Sequence, residues 1–397
     1  MNTSTHKTYT FWLFMAVMVF MTACEQDPVT PDYTIPTTYN FENVSYSGQT
    51  QRIGQLAEMK TYMATSREMG TALSADRLKG MFANDAANAQ WNGTYEESKQ
   101  LRSKTLESVQ AAFDDLLVEL AAASESTVEG SEGVAGVIES LNGEKKYLIG
   151  EDGLDHAQVI EKGLMGATFY YQGTAVYFGE DRMSADNEII TPGEGTDLEH
   201  HWDEAFGYFG VPIDFPTNTT GLAFWGNYAN LRNAILGSNQ KSMDAFLKGR
   251  AAISNDDLTT RDEAIMEASE AWEEVSVGSA LHYLNVGIDN FDDMAIMAHG
   301  VSEGIGFIYS LQFNPRKRIT NEQVNELLTL IAGSANFADM NLYTATKENF
   351  QEAKDKLAGY YDLEDVKDDF KMTYIQSDVK TPQRPFWSLG CLLFLAF

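Results

Sequence analysis

The sequence predicts a mostly α-helical protein built of duplicated helical bundles, with few or no strands. Three observations lead there. Proline is absent from Thr37 to Thr191 and again from Thr217 to Asn314, so long stretches keep every backbone N–H that a helix needs. In Lys104–Ala123, Leu106, Val109, Phe113, Leu116, Leu117 and Leu120 recur at spacings of three and four, the mark of one apolar helical face. Strand signals are confined to two short runs, Lys146–Gly150 and Glu188–Thr191, and alternation is not sustained in either.

Taken in order, the chain opens with a targeting segment. Lys7 supplies a thin positive region, Phe11–Met21 an apolar run, and Met21-Thr22-Ala23-Cys24 follows; small residues directly before a cysteine resemble a bacterial lipobox. Residues 1–23 are therefore expected to be a lipoprotein signal peptide, with Cys24 the acylated residue that anchors the protein to a membrane. Residues 24–49, with Pro28, Pro31 and Pro36 and no helical periodicity, read as a flexible tether. A first helical bundle is expected over residues 50–235 and a second over 236–380. Within them, Thr196 with Glu199 and Thr260 with Glu263 have the spacing of capping boxes, and Asp257 and Asp293 look like helix starts. Gly210-Val-Pro212 and Phe313-Asn-Pro315 read as helix stops, and Arg261–Asn285 as another helix. Residues 381–397 end in an almost wholly apolar run from Phe386. That run is too short to span a bilayer and atypical enough to suggest a shifted reading frame.

Charge excludes some functions. With 28 basic against 58 acidic residues the formal net charge is −30, a field that repels nucleic acid and anionic lipid head groups and suits an exported soluble surface. Hydrophobic content of 44% is enough for a substantial core, so disorder is not the default. The two cysteines, Cys24 and Cys391, form no disulfide framework.

The histidines point to a site. Beyond the targeting segment there are five, His156, His200, His201, His282 and His299. The order Glu204-Ala-Phe-Gly207 reappears as Glu303-Gly-Ile-Gly306, each glutamate with a histidine four residues before it. Upstream, Glu161, Gly166 and Tyr171 match Glu273, Gly278 and Tyr283 in spacing. Residues three and four apart share a helical face, so His200 and His201 can both lie beside Glu204, and His299 beside Glu303. On the upstream helix Glu274, Gly278 and His282 form one stripe, with Lys162, Gly166 and Tyr170 as first-copy equivalents; the glycines would admit a neighbouring helix or a ligand. Helical bundles hold metals with inward-projecting Glu and His, and such ligands without thiolate suit iron, zinc, manganese or copper, while acidity alone suits calcium. The bland alternative is that each His–Glu pair is a satisfied structural hydrogen bond. No His-Glu-x-x-His, Gly-x-Ser-x-Gly or phosphate-binding glycine loop is present, so no catalytic residue is assigned.

Several stretches carry a family resemblance: Tyr46-Ser-Gly-Gln-Thr, Glu161-Lys-Gly-Leu-Met-Gly-Ala, His200-His-Trp-Asp-Glu-Ala-Phe-Gly-Tyr-Phe-Gly-Val-Pro and Met243-Asp-Ala-Phe-Leu-Lys-Gly-Arg. Together they resemble a Bacteroidetes lipoprotein family, domain of unknown function 4856, from about Tyr39 to about Lys380. More distantly, His201-Trp-Asp-Glu204 is similar to the Gly-x-His-x-x-Glu helix of imelysin-like envelope proteins, although Glu199 stands where that motif has its glycine. The imelysin-like resemblance implies two related bundles, a link to iron uptake, and His201 and Glu204 as the matching pair.

The reading that results is an envelope lipoprotein, periplasmic or surface-exposed at the outer membrane. It would bind a metal ion, iron favoured over zinc or calcium, between the bundles through His201, Glu204, His299 and Glu303. His200, His282 and Tyr170 would be further ligands or orienting groups. Envelope proteins are possible partners. The competing classes are a non-enzymatic interaction or substrate-capture lipoprotein with structural His/Glu pairs, and a metal-dependent hydrolase.

Overall fold

The computed structural model describes residues 32–371 together with Met1. The expected signal peptide, most of the expected tether with Cys24, and the apolar run from Phe386 lie outside the described residues. The chain divides into residues 1–34 and 35–397, and the core lies in the second unit. Twelve α-helices and one two-stranded sheet are present among the described residues, as the mostly helical reading requires. No helix among them is long and apolar enough to cross a membrane.

The longest helix, α9 (Leu258–Asp289), organises the rest. Its 32 residues span about 48 Å, and it buries side chains on every face, so neighbours must surround it. Those neighbours are α7 (Trp225–Leu236), α8 (Ser238–Ser254), α10 (Met294–Ser310) and α12 (Lys347–Tyr360). The division expected between residues 235 and 236 falls in the last turn of α7, and α7 and α8 both pack on α9 inside one compact unit. The tether also ends earlier than residue 49. Tyr39 is fully buried, stacks on Phe206 with ring centroids 3.7 Å apart, and donates its hydroxyl to Asp203 at 2.7 Å. The same Asp203 accepts from Arg250 Nε at 3.0 Å, which ties α8 to α6 (Asp197–Phe209).

Local signals explain most boundaries. Thr196 and Glu199 form the expected capping box at the start of α6, and Gly210 ends that helix in the left-handed conformation. The box expected at Thr260 does not form. Asp257 takes the cap instead, accepting from the Thr260 amide, and the helix begins one residue later. Asp293 caps α10 in the same way. Of the two strand signals, Lys146–Ile149 becomes β2, paired antiparallel with β1 (Gly136–Glu139). Glu188–Thr191 forms only an isolated bridge from Thr191 to Gly195, since no neighbouring strand offers a ladder.

The two copies of the repeat fall on comparable helix pairs. Glu161, Gly166 and Tyr171 lie on α4 (His156–Leu164) and its continuation, which widens into π-helical turns over Met165–Tyr170 and Gln172–Tyr177. His200 and Glu204 lie on α6, Glu273 and Gly278 on α9, and His299 and Glu303 on α10. The glycines serve packing. A Cβ on Gly166 would sit 2.0 Å from Ser310 Oγ and 2.8 Å from Ser310 Cα, so the helix after α4 meets α10 nearly backbone to backbone. Because a backbone atom blocks it, Gly166→Ala should lower stability by about 1–3 kcal/mol in urea unfolding. An unchanged midpoint would show that the close approach is slack.

Candidate functional site

The helix pair α4 and α10 is stitched by buried charges of alternating sign. Lys162, 1% exposed, places Nζ 2.7 Å from Glu161 Oε1 and 3.4 Å from Glu303 Oε2. Lys60, from α1 (Ser47–Ala64), reaches the same Glu161 oxygen at 2.9 Å. Glu303 Oε1 lies 3.2 Å from His299 Nε2, and His299 Nδ1 lies 2.8 Å from Asp155 Oδ2 at the N-cap of α4. Tyr228 adds a hydroxyl donated to Glu303 at 3.1 Å. Both nitrogens of His299 face carboxylates, and two donors are possible only in the imidazolium form. Burial acts against that charge, but the hydrogen bonds to Asp155 and Glu303 outweigh it and raise the His299 pKa. Glu303 is moved the other way: burial would raise its pKa, yet Lys162 and then His299 hold it well below the usual carboxylate range.

A cavity of about 620 Å³ opens beside this network. Its walls include His282 and Tyr283 from α9, His299 and Glu303 from α10, and the hairpin joining β1 to β2. Tyr147 of β2 stacks on His299 with ring centroids 3.8 Å apart, and the Leu141 amide donates to Asp293 at 2.9 Å, docking the hairpin on the start of α10. His282 is the distinctive wall residue. It is 1% exposed; Nδ1 lies 3.0 Å from the Phe370 carbonyl, and Nε2 is buried without a hydrogen-bond partner. Only a protonated Nδ1 can bond a carbonyl, so a neutral ring leaves its lone pair on Nε2. Burial and the Arg232 guanidinium push the His282 pKa down to about 4, which keeps the ring neutral at ordinary pH.

His201 and Glu204 lie elsewhere. Glu204 accepts from Gln49 at 2.8 Å and Tyr177 at 3.0 Å, with His201 Nδ1 at 3.3 Å and His200 Nε2 at 3.9 Å. Burial raises the Glu204 pKa, but the His201 and Gln49 hydrogen bonds outweigh it and bring it to about 2. This carboxylate lines a separate cavity of about 160 Å³ that shares no wall residue with the larger one.

A profile of the domain of unknown function DUF4856 matches residues 36–364. The chain belongs to the DUF4856 family. No curated protein and no solved structure matches it. The Bacteroidetes and imelysin-like resemblances rest on the sequence motifs alone.

In this DUF4856 chain the five histidines do not converge. His156 pairs with Asp152 at 3.0 Å, His200 and His201 flank Glu204, and His282 and His299 line the large cavity. The single metal centre expected from His201, Glu204, His299 and Glu303 is not assembled, because Glu204 lines the small cavity while His299 and Glu303 line the large one, with different partners. Tyr170 lines neither; it packs between Trp225 and Trp272. Among the described residues no group of three His, Cys, Asp or Glu side chains is placed to hold a metal ion. The donor chemistry agrees, since His299 has no free lone pair and the Glu204 oxygens already accept several hydrogen bonds. Residues that sequence reasoning missed include Asp155, Lys60, Tyr147 and Tyr228. One signal was legible: Glu161-Lys162 interrupts an otherwise apolar run from Val159 to Met165.

Removing Lys162 strands two buried carboxylates. Lys162→Met should therefore cost about 3–5 kcal/mol in chemical unfolding, and adding Glu161→Gln and Glu303→Gln should recover much of that loss. Full stability in the single variant would disprove the network's role. The raised His299 pKa sets a second expectation. Its stabilising contribution is complete below the unfolded imidazole value near 6.5 and is lost as pH rises through the folded value. The contribution of Glu303, with its lowered pKa, is present above the unfolded carboxylate range and lost as pH falls. His299→Gln should thus cost most near pH 6 and progressively less toward alkaline pH, measured as the difference in unfolding free energy. A pH-independent difference would contradict the imidazolium assignment.

Proposed function

We propose that this protein is a non-enzymatic ligand-capture lipoprotein of the bacterial cell envelope. The lipobox-like Met21-Thr22-Ala23-Cys24 and the acidic, exported composition support the location. The observation that carries the function is the cavity of about 620 Å³ whose wall holds a buried, neutral imidazole with an unpartnered Nε2. A cavity of this size with mixed aromatic and polar walls suits a small organic molecule. Its wall chemistry favours a ligand that donates hydrogen bonds: His282 Nε2, Glu303, Asp289 and Asp293 are acceptors, and Lys371 is drawn toward Asp289 at 3.8 Å. Tyr147 and Tyr283 add ring faces or edges for an apolar or cationic portion. Catalysis in the large cavity gains no support, because His299, which lines it beside Glu303, is held at both nitrogens and has none free to act as a base. The iron reading has one point in its favour: a histidine with Nδ1 fixed by a carbonyl and Nε2 free is prepared as many metal ligands are. His282 alone supplies that feature.

The full chain should show thermal stabilisation by some members of a panel of choline, putrescine, glucosamine and glucose, and the effect should vanish in His282→Leu. Equal stabilisation of both proteins would reject the cavity as the capture site. Iron(II) and zinc belong in the same experiment, with His201→Ala and Glu204→Ala; metal-dependent stabilisation lost in those variants would restore the metal reading.

A further inference from the structure

We propose that the smaller cavity, at the start of α1, binds a phosphate-type oxyanion through Arg52, Lys99 and Lys104. This inference does not depend on ligand capture in the His282 cavity. The chain carries more than two acidic residues for each basic one, so unpaired cations gathered at one place call for an explanation. Arg52, Lys99 and Lys104 all line the cavity of about 160 Å³. Among the described residues none of the three has a carboxylate within ion-pair distance, whereas Lys60, Lys162, Lys241 and Lys248 all do. Two carboxylates, Glu194 and Glu204, also line the cavity; the Glu204 oxygens accept from Gln49 and Tyr177 with His201 close by, and the three cations outnumber the two acidic groups.

The cations are held in place. Arg52 is 5% exposed, and its Nε and Nη1 donate to the carbonyls of Gln100 and Gly48, which fixes the guanidinium beside the first turn of α1. Among the described residues Lys104 hydrogen-bonds only the Tyr177 hydroxyl, at 3.4 Å. Burial and then the nearby Arg52 push the Lys104 pKa below the usual lysine range, and Glu204 offsets that only in part. A Cβ on Gly48 would lie 3.2 Å from Arg52 Nη1 and 3.4 Å from Lys99 Cδ, so glycine there lets both side chains lie against the helix. The N-cap of α1, Tyr46, makes no side-chain cap bond and the first turn contains no acidic residue, which leaves the positive end of the helix facing the cluster. His200 lines the same cavity, and its Nδ1 is buried without a partner. Guanidinium, two ammonium groups and helix amides are all donors. They match a tetrahedral group with several acceptor oxygens and mismatch any cation. The volume holds one such group and excludes a nucleotide.

The phosphate can be free or can terminate a larger molecule such as a lipid, and one experiment separates the two. Inorganic phosphate is titrated calorimetrically into the full chain at constant ionic strength, alongside Lys99→Gln, Lys104→Gln and the conservative Lys104→Arg, with unfolding midpoints confirming that each variant folds. Vesicles of phosphatidylglycerol and of phosphatidylcholine form the second arm. Saturable binding of phosphate, weakened at least tenfold in both glutamine variants and retained in Lys104→Arg, supports a site for the free anion. Vesicle binding with the same variant pattern, and no binding of inorganic phosphate, supports a lipid source. No binding in either arm, or binding indifferent to Lys99 and Lys104, overturns the proposal.

Discussion

Lys162 is the charge on which the arrangement of the helices turns. A buried ammonium is tolerated only where carboxylates meet it, and here one comes from its own helix and one from α10. The requirement propagates outward: Glu161 also needs Lys60, Glu303 needs His299, and His299 needs Asp155. Six groups of alternating sign thus run from α1 through α4 to α10. Each neutralises its neighbour, and the run as a whole carries no net charge when His299 is protonated. Apolar residues of the same size could glue these helices as strongly. A charged chain also specifies which residues face each other, and so fixes the register in which the cavity walls assemble.

That register explains why the repeated motifs do different things. His200–Glu204 and His299–Glu303 share a spacing and a helical setting, but their surroundings diverge. Glu303 receives a lysine from the other half of the chain and sits in an ionic network at the edge of the large cavity. Glu204 receives an amide and a phenol, and faces a small cavity crowded with cations. The upstream glutamates diverge too: Glu161 is ion-paired, while Glu273 accepts from Asn314 and from the Arg318 amide. Equivalent positions in sequence have become different electrostatic environments.

The two cavities are complementary in chemistry. The larger presents acceptors and aromatic surfaces around a neutral histidine, and the smaller presents donors at a helix start. In a protein with formal net charge −30, the second is the more unexpected. Arg52 is buried there, and in low-dielectric surroundings its interaction with any neighbouring charge is stronger than it would be in water.

Sequence alone determined the helical class, several helix starts and stops, and the residue types that carry chemistry. These are local properties: the Thr196–Glu199 box, the Gly210 stop and the Leu106–Leu120 stripe each act within a turn or two of their own position. The placing of His200 beside Glu204 and of His299 beside Glu303 was also legible, because a spacing of four is a statement about one helix face. Which faces meet was not. That Lys162 would answer Glu303, that His282 would keep a free nitrogen, and that His201 and His299 would part company are all matters of long-range contact. Only the tertiary structure decided them, because a side chain's partner across the core depends on how α9 and its neighbours close around each other, and no local pattern encodes that distance.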